Sequence, residues 1–123
     1  SIYEDLGNVV RTIGRYNDLG RLEAKMENHA TAKELLFRSI QLAQEHNKLD
    51  TLCRAYINIA NTLLYLDEID LAIDYAEKGQ ELATRLHAHT EFEAIKVILT
   101  KIYPSATAWS KDRCYNNLIT MEE

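Results

Sequence analysis

The hydrophobic pattern of residues 55–83 predicts two amphipathic helices joined by a turn of a few residues. Apolar residues in both halves recur at intervals of three and four, the spacing of one face of an α-helix. The first stripe consists of Tyr56, Ile59, Ala60 and Leu63, and the second of Ile69, Ala72, Ile73, Ala76, Gly79, Leu82 and Ala83.

Short acidic residues stand where these two helices are expected to begin. Asp50 and Asp67 are predicted to cap free backbone N–H groups, and carboxylates suit the positive end of the helix dipole. Small residues mark the expected helix crossing, because close approach of two axes needs small side chains. We therefore expect Ala60 and Ala72 to be buried against each other.

The flanking segments carry the same kind of pattern. Residues 2–27 form either one long helix, or a short helix ending near Gly7 and a second running to about Met26, since glycines interrupt the stripe. The apolar spacing of residues 30–46 predicts the next helix. Residues 90–93 read as a capping box, followed by a helix that Pro104 ends. Ser110 is expected to begin a last helix that runs to about Met121.

The chain resembles itself at an offset of 40 residues. This offset pairs Ala32 with Ala72 and aligns the small residues Gly20, Ala60 and Thr100. A helix-pair period of roughly 34 to 47 residues is typical of an α-solenoid, in which each pair packs on its neighbours.

The residues that define the central pair resemble the tetratricopeptide repeat, in the longer version of about 40 residues seen in bacterial signalling and regulatory proteins. They are Tyr56, Asn58, Ile59, Ala60, Leu63, Ile69, Ala72, Ile73, Tyr75, Ala76 and Gly79. The resemblance covers about residues 8–103. It implies an all-α fold, an α-solenoid of antiparallel helix pairs. One domain over residues 1–123 would hold about two and a half repeats (8–47, 48–87 and 88–123), as a fragment of a larger protein.

Composition narrows the function classes. The 123 residues carry a formal net charge of −5, with 4 Gly and 1 Pro. Such a composition favours helices over sandwiches and barrels, and it lacks the basic stripe of a nucleic-acid binder. No apolar run approaches the ~18 residues of a membrane span. Cys53 and Cys114 make no disulfide framework, as expected in the cytoplasm, and Cys53 is expected to be a small buried hydrophobe.

The sequence holds no recognisable reaction centre. It has no glycine-rich phosphate loop and no paired-acid motif. His87, His89 and Glu91 have the spacing of metal ligands, but a fourth ligand is missing, and we expect them to form a solvated connector instead. We therefore expect no enzyme, cofactor or metal.

The family resemblance implies that the first helices of successive pairs line a concave groove that holds a segment of a partner protein or peptide. Amides there can bond a peptide backbone, cations can take carboxylates, and apolar side chains can anchor the segment. The implied groove residues are Asn17, Arg21, Arg54, Asn58, Asn61, Leu64, Tyr65 and Lys101. An ordinary solvated face is the alternative for each of them.

The resulting functional hypothesis is a non-enzymatic binding module of a bacterial signal-transduction or transcription-regulatory protein, such as a response regulator. Alternatives are a sensor of signalling peptides and a homodimerisation segment. The last follows from apolar residues expected at the two ends, because exposed apolar patches mark interfaces. These residues are Ile2, Leu6 and Val9 at one end, and Leu118 and Ile119 at the other.

Overall fold

Short turns separate the helices of the part of the chain that the structure describes. The computed structural model describes residues 2–102, with side chains from Gly7 onward. Within this range the protein forms five helices and no strand, which confirms the all-α prediction. They are α1 (Ile2–Lys25), α2 (His29–Glu45), α3 (Leu49–Tyr65), α4 (Ile69–Leu86) and α5 (His89–Ile102). Of the two alternatives for the first segment, the single long helix is the correct one.

The four turns share one backbone geometry. Each contains a non-glycine residue with φ between 53° and 65°, and these residues recur every 20 positions: Glu27, Asn47, Asp67 and His87. The next residue in each turn donates its N–H to the carbonyl five residues earlier, as in Asn28 to Glu23 and Glu68 to Leu63, both at 2.9 Å. This is the Schellman arrangement of a helix C-terminus. Two such units make the 40-residue period of the sequence.

The capping predictions for the later helices are wrong. Asp67 is the left-handed residue that ends α3, and Glu68 holds the N-cap position of α4 without a side-chain capping bond. Asp50 and Thr90 lie inside the first turns of α3 and α5. The physical reason is that the turn at the C-terminus of each helix leads directly into the next helix. The position at which the next helix begins therefore needs no N-cap side chain.

Replacing Asp67 by Gly should raise the free energy of unfolding by about 0.5–1 kcal/mol. A left-handed conformation brings Cβ too close to the following carbonyl oxygen, and glycine removes that penalty at a smaller cost in chain entropy. Asp67→Ala is the matched control, because it removes the charge and keeps Cβ. Urea unfolding of both variants checks this; a gain for Asp67→Ala equal to that for Asp67→Gly would contradict it.

The helices pack in sequence order around α3. Each helix contacts the next, and α3 also contacts α1 and α5, so that α1, α3 and α5 lie side by side. Ala60 and Ala72 are both fully buried in the α3–α4 pair. The Lys33 Nζ donates to both carboxylate oxygens of Glu68 at 2.8 and 2.9 Å, and so ties α2 to the α3–α4 turn.

Candidate functional site

A groove runs across α1, α3 and α5 and consists of two adjoining cavities. The first has a volume of about 470 Å³ and lies near the N-terminal ends of α3 and α5. The second, of about 460 Å³, lies near the C-terminal ends of α1, α3 and α5. Arg21 and Asn58 line both cavities, which makes the groove continuous.

The groove is built from equivalent positions of the sequence repeat. Gly14, Arg54 and Ala94, which are 40 residues apart, line the first cavity. Arg21, Asn61 and Lys101 have the same spacing and line the second. Successive helix pairs therefore present the same face to this groove, and only the side chains differ.

Seven of the eight candidate residues from the sequence line this groove. Asn17, Arg21, Arg54 and Asn58 line the first cavity, while Arg21, Asn58, Asn61, Tyr65 and Lys101 line the second. Leu64 lines neither cavity; it is partly buried and packs against the core.

Two candidate asparagines bind each other across the helix interface. Asn58 Nδ2 donates to Asn17 Oδ1 at 2.9 Å, which joins α3 to α1 at the floor of the groove. Asn17 is only 7% exposed. Asn61, by contrast, makes no side-chain hydrogen bond to any other part of residues 7–102, so that its amide can bond a ligand. The bond to Asn17 uses only the Nδ2 of Asn58 and leaves its Oδ1 as an acceptor.

The two cavities differ in charge. Arg21 and Arg54 in the first cavity stand near carboxylates of their own helices, at 3.8 Å from Asp18 and 4.0 Å from Asp50, and these pairs are exposed and weak. Glu91 adds a further negative charge there. The second cavity holds three cations, Arg21, Lys25 and Lys101, and one carboxylate, that of Glu27.

An aromatic pair stands at the end of the second cavity. The rings of His29 and Tyr65 stack with centroids 4.8 Å apart and an interplanar angle of 7°. Tyr65 remains 69% exposed. Its open ring is a large apolar surface next to the amides and cations of the groove.

Several groove residues were not among the sequence candidates. They include Gly14, Asp18, Lys25, His29 and Glu91. The 40-residue offset contains a signal for three of them, because Gly14, Asp18 and Lys25 are the equivalents of Arg54, Asn58 and Tyr65. His29 carries no such signal, because it begins α2, the second helix of a pair, and its ring lies at the end of the groove stacked on Tyr65.

The described part of the protein offers little other chemistry. No three His, Cys, Asp or Glu side chains between residues 7 and 102 lie close enough together to hold a metal ion. None of the helices α1 to α5 has the length and hydropathy needed to cross a membrane. Comparison with known proteins found no matching family model, no matching curated protein and no matching solved structure.

Proposed function

We propose that this protein is a tetratricopeptide-like α-solenoid module that binds a segment of another protein in the groove across α1, α3 and α5. It would act without catalysis or cofactor, in the cytoplasm, as part of a bacterial signal-transduction or transcription-regulatory protein. The observation that carries the proposal is the convergence of Asn17, Arg21, Arg54, Asn58, Asn61, Tyr65 and Lys101 on one continuous groove.

The regular turn geometry supports the repeat part of the proposal. Identical turns every 20 residues and buried small residues at equivalent positions are what a stack of similar helix pairs requires. Gly20 and Ala60 are 40 residues apart and both buried, as are Ala32 and Ala72. The contacts of α3 with both α1 and α5 give such a stack a common face.

The chemistry of the groove supports a peptide ligand with a carboxylate. A free amide such as that of Asn61 can both donate to and accept from a peptide backbone. The three cations of the second cavity favour an Asp, a Glu or a C-terminal carboxylate over a basic side chain. The exposed ring of Tyr65 can take one apolar side chain of the segment.

Binding of short peptides tests this function. Peptides selected against the whole protein from a random displayed library would be resynthesised, and their affinities measured by calorimetry at low and high salt. Arg21→Ala, Lys101→Ala and Asn61→Ala should each weaken binding by about tenfold, or ~1.4 kcal/mol. The two cation variants should matter less at high salt, because ions screen exposed charges.

Matched controls lie on α4, outside the groove. Asp74→Ala and Glu81→Ala change exposed charges on the second helix of the central pair and should leave affinity unchanged. Asn61→Ala is a cleaner test than Asn58→Ala, which would also break the bond to the buried Asn17. If the α4 variants abolish binding and the groove variants do not, the binding site is elsewhere.

A further inference from the structure

A second surface of α1 carries exposed apolar side chains that line neither cavity of the groove. Leu19, Leu22 and Met26 are 42%, 51% and 53% exposed. Their spacing of three and four residues places them in one stripe along the helix. Val9, one of the residues expected to form an apolar end, packs against the core instead. Ile2, Leu6, Leu118 and Ile119 lie outside the described side chains.

Equivalent positions in the later helices are buried. Leu19 corresponds to Ile59 and Leu99, which are 0% and 1% exposed. Leu22 corresponds in the same way to Thr62 and Ile102, which are 1% and 0% exposed. The face that carries Leu19 and Leu22 in α1 is therefore the face that is buried in α3 and α5.

The covered face of α3 points toward the preceding helix pair. Thr62 lies one turn after Asn58 and donates its hydroxyl to the Asn58 carbonyl at 3.0 Å. The Asn58 side chain in turn bonds Asn17 of α1. On α1, the first helix, no part of residues 7–102 covers the matching stripe.

Arg15 limits what can cover this stripe. It occupies the position of Ala55 and Ile95, both 0% exposed, and is itself exposed. A helix packed as closely as in the later pairs would bury the guanidinium without a partner, which is costly. The covering element must leave Arg15 at its edge and must offer apolar side chains of its own.

We propose that a second copy of this protein covers the stripe, through a symmetric antiparallel pairing of the two α1 helices. Within residues 7–102 this stripe is the one exposed run of apolar side chains at helical spacing, and its natural counterpart is the same stripe on another copy. The proposal does not depend on the function of the groove.

Charge and register both suit the antiparallel pairing. With Leu19 opposite Leu22 of the second copy, the stem of Arg15 lies along Met26 of that copy, and its charged head reaches solvent. The same register brings Asp18 near Lys25 of the second copy, and symmetry repeats this pair of opposite charges. Flanking charges of this kind set partner choice and orientation in paired helices.

Sedimentation velocity of the 123-residue chain over a concentration range of about a hundredfold tests the proposal, because a dimer forms by mass action. The contact is short, and so we expect a dissociable dimer that rises from 14.2 kDa toward twice that mass. A monomer at every concentration would overturn the proposal.

Substitutions locate the interface. Leu22→Glu should weaken the dimer by at least about tenfold, because it places an unpaired charge between apolar side chains. Val97→Glu is the matched control, since Val97 is an exposed apolar residue of α5, outside the stripe. A dimer that survives Leu22→Glu, or that Leu118→Glu disperses instead, would show that another surface associates and would overturn the proposal.

A charge exchange tests the antiparallel register. Asp18→Lys should weaken the dimer, because it brings like charges together twice in the symmetric pair. Adding Lys25→Asp to the same protein should restore the dimer, since opposite charges then face each other again. Circular dichroism checks that each variant keeps its helices. Failure of the double variant to associate better than Asp18→Lys would exclude this pairing.

Discussion

Replacing Gly20 by Ala should lower the free energy of unfolding by up to about 2 kcal/mol, although alanine is the better helix former. A Cβ at Gly20 would lie 2.6 Å from Leu36 Cγ and 2.8 Å from Leu36 Cδ2. Leu36 is fully buried, so that any shift of its side chain disturbs the packing of the core. Overpacking of this kind typically costs about 1–3 kcal/mol, which outweighs a helix-propensity gain of about 1 kcal/mol.

Gly14, on the same helix, is the matched control. A Cβ there meets no atom within 4 Å, so Gly14→Ala should raise the free energy of unfolding by about 0.5–1 kcal/mol. Urea unfolding of the two variants, followed by circular dichroism, checks the opposite signs. Stabilisation by Gly20→Ala of the same size as by Gly14→Ala would mean that Leu36 can move aside and that α1 and α2 are loosely packed at this crossing.

The fold could be predicted from the sequence as far as its repeat. The 40-residue offset between Ala32 and Ala72 predicts the length of one helix pair, because equivalent helix crossings need small residues at equivalent positions. Helix starts were harder. An acid before a hydrophobic stripe predicts an N-cap, yet Asp67 ends the preceding helix in a left-handed conformation. Asp and Asn suit both roles, and the sequence does not distinguish them.

The groove was easier to find than the state of each side chain in it. Repeat register alone assigns Asn17, Asn58 and Asn61 to one face, and the structure brings all three to the groove. Repeat register does not predict that the side chain of Asn58 forms a hydrogen bond with Asn17, whereas that of Asn61 remains free to bond a ligand. That distinction depends on the distance between α1 and α3, which is set by packing elsewhere in the core.

The exposed apolar stripe of α1 shows that the hydrophobic pattern of one helix does not tell whether its apolar face is buried. Leu19 shares its register with Ile59 and Leu99, so periodicity alone predicts burial for all three. The structure leaves Leu19 exposed because α1 has no helix before it among the described residues. Whether an amphipathic face is buried thus depends on the position of its helix in the array.

The stability of this protein should fall above about pH 9 in a way that depends on Cys53. The side chain is fully buried in α3, where its Sγ lies 3.6 Å from the carbonyl oxygen of Gly79. Burial raises the pKa of the Cys53 thiol from 9.0 to about 11; the charge of Glu91 adds to this rise, and that of Arg54 opposes it. In the unfolded protein the thiol ionises near its ordinary pKa.

The sign of the effect follows from the bound proton. Between about pH 9 and pH 11 the folded state keeps the thiol proton and the unfolded state loses it, so that rising pH favours unfolding. We expect a loss of about 1–2 kcal/mol across this range, less than the full shift implies because solvent screens the exposed charges around the groove. Below about pH 8 the contribution of Cys53 is constant, because both states keep the proton.

The difference in the free energy of unfolding between two variants isolates the contribution of Cys53. Both carry Cys114→Ser, so that Cys53 is the one remaining thiol, and one of them also carries Cys53→Ala. Tyrosine and lysine titrations are common to both and cancel. The stability advantage of the variant that keeps Cys53 over the one with Cys53→Ala, measured by urea unfolding, should be constant below about pH 8 and shrink steadily toward pH 11. An advantage that stays constant to pH 11 would mean that the thiol ionises equally well in the folded protein, and hence that water reaches Cys53 between α3 and α4.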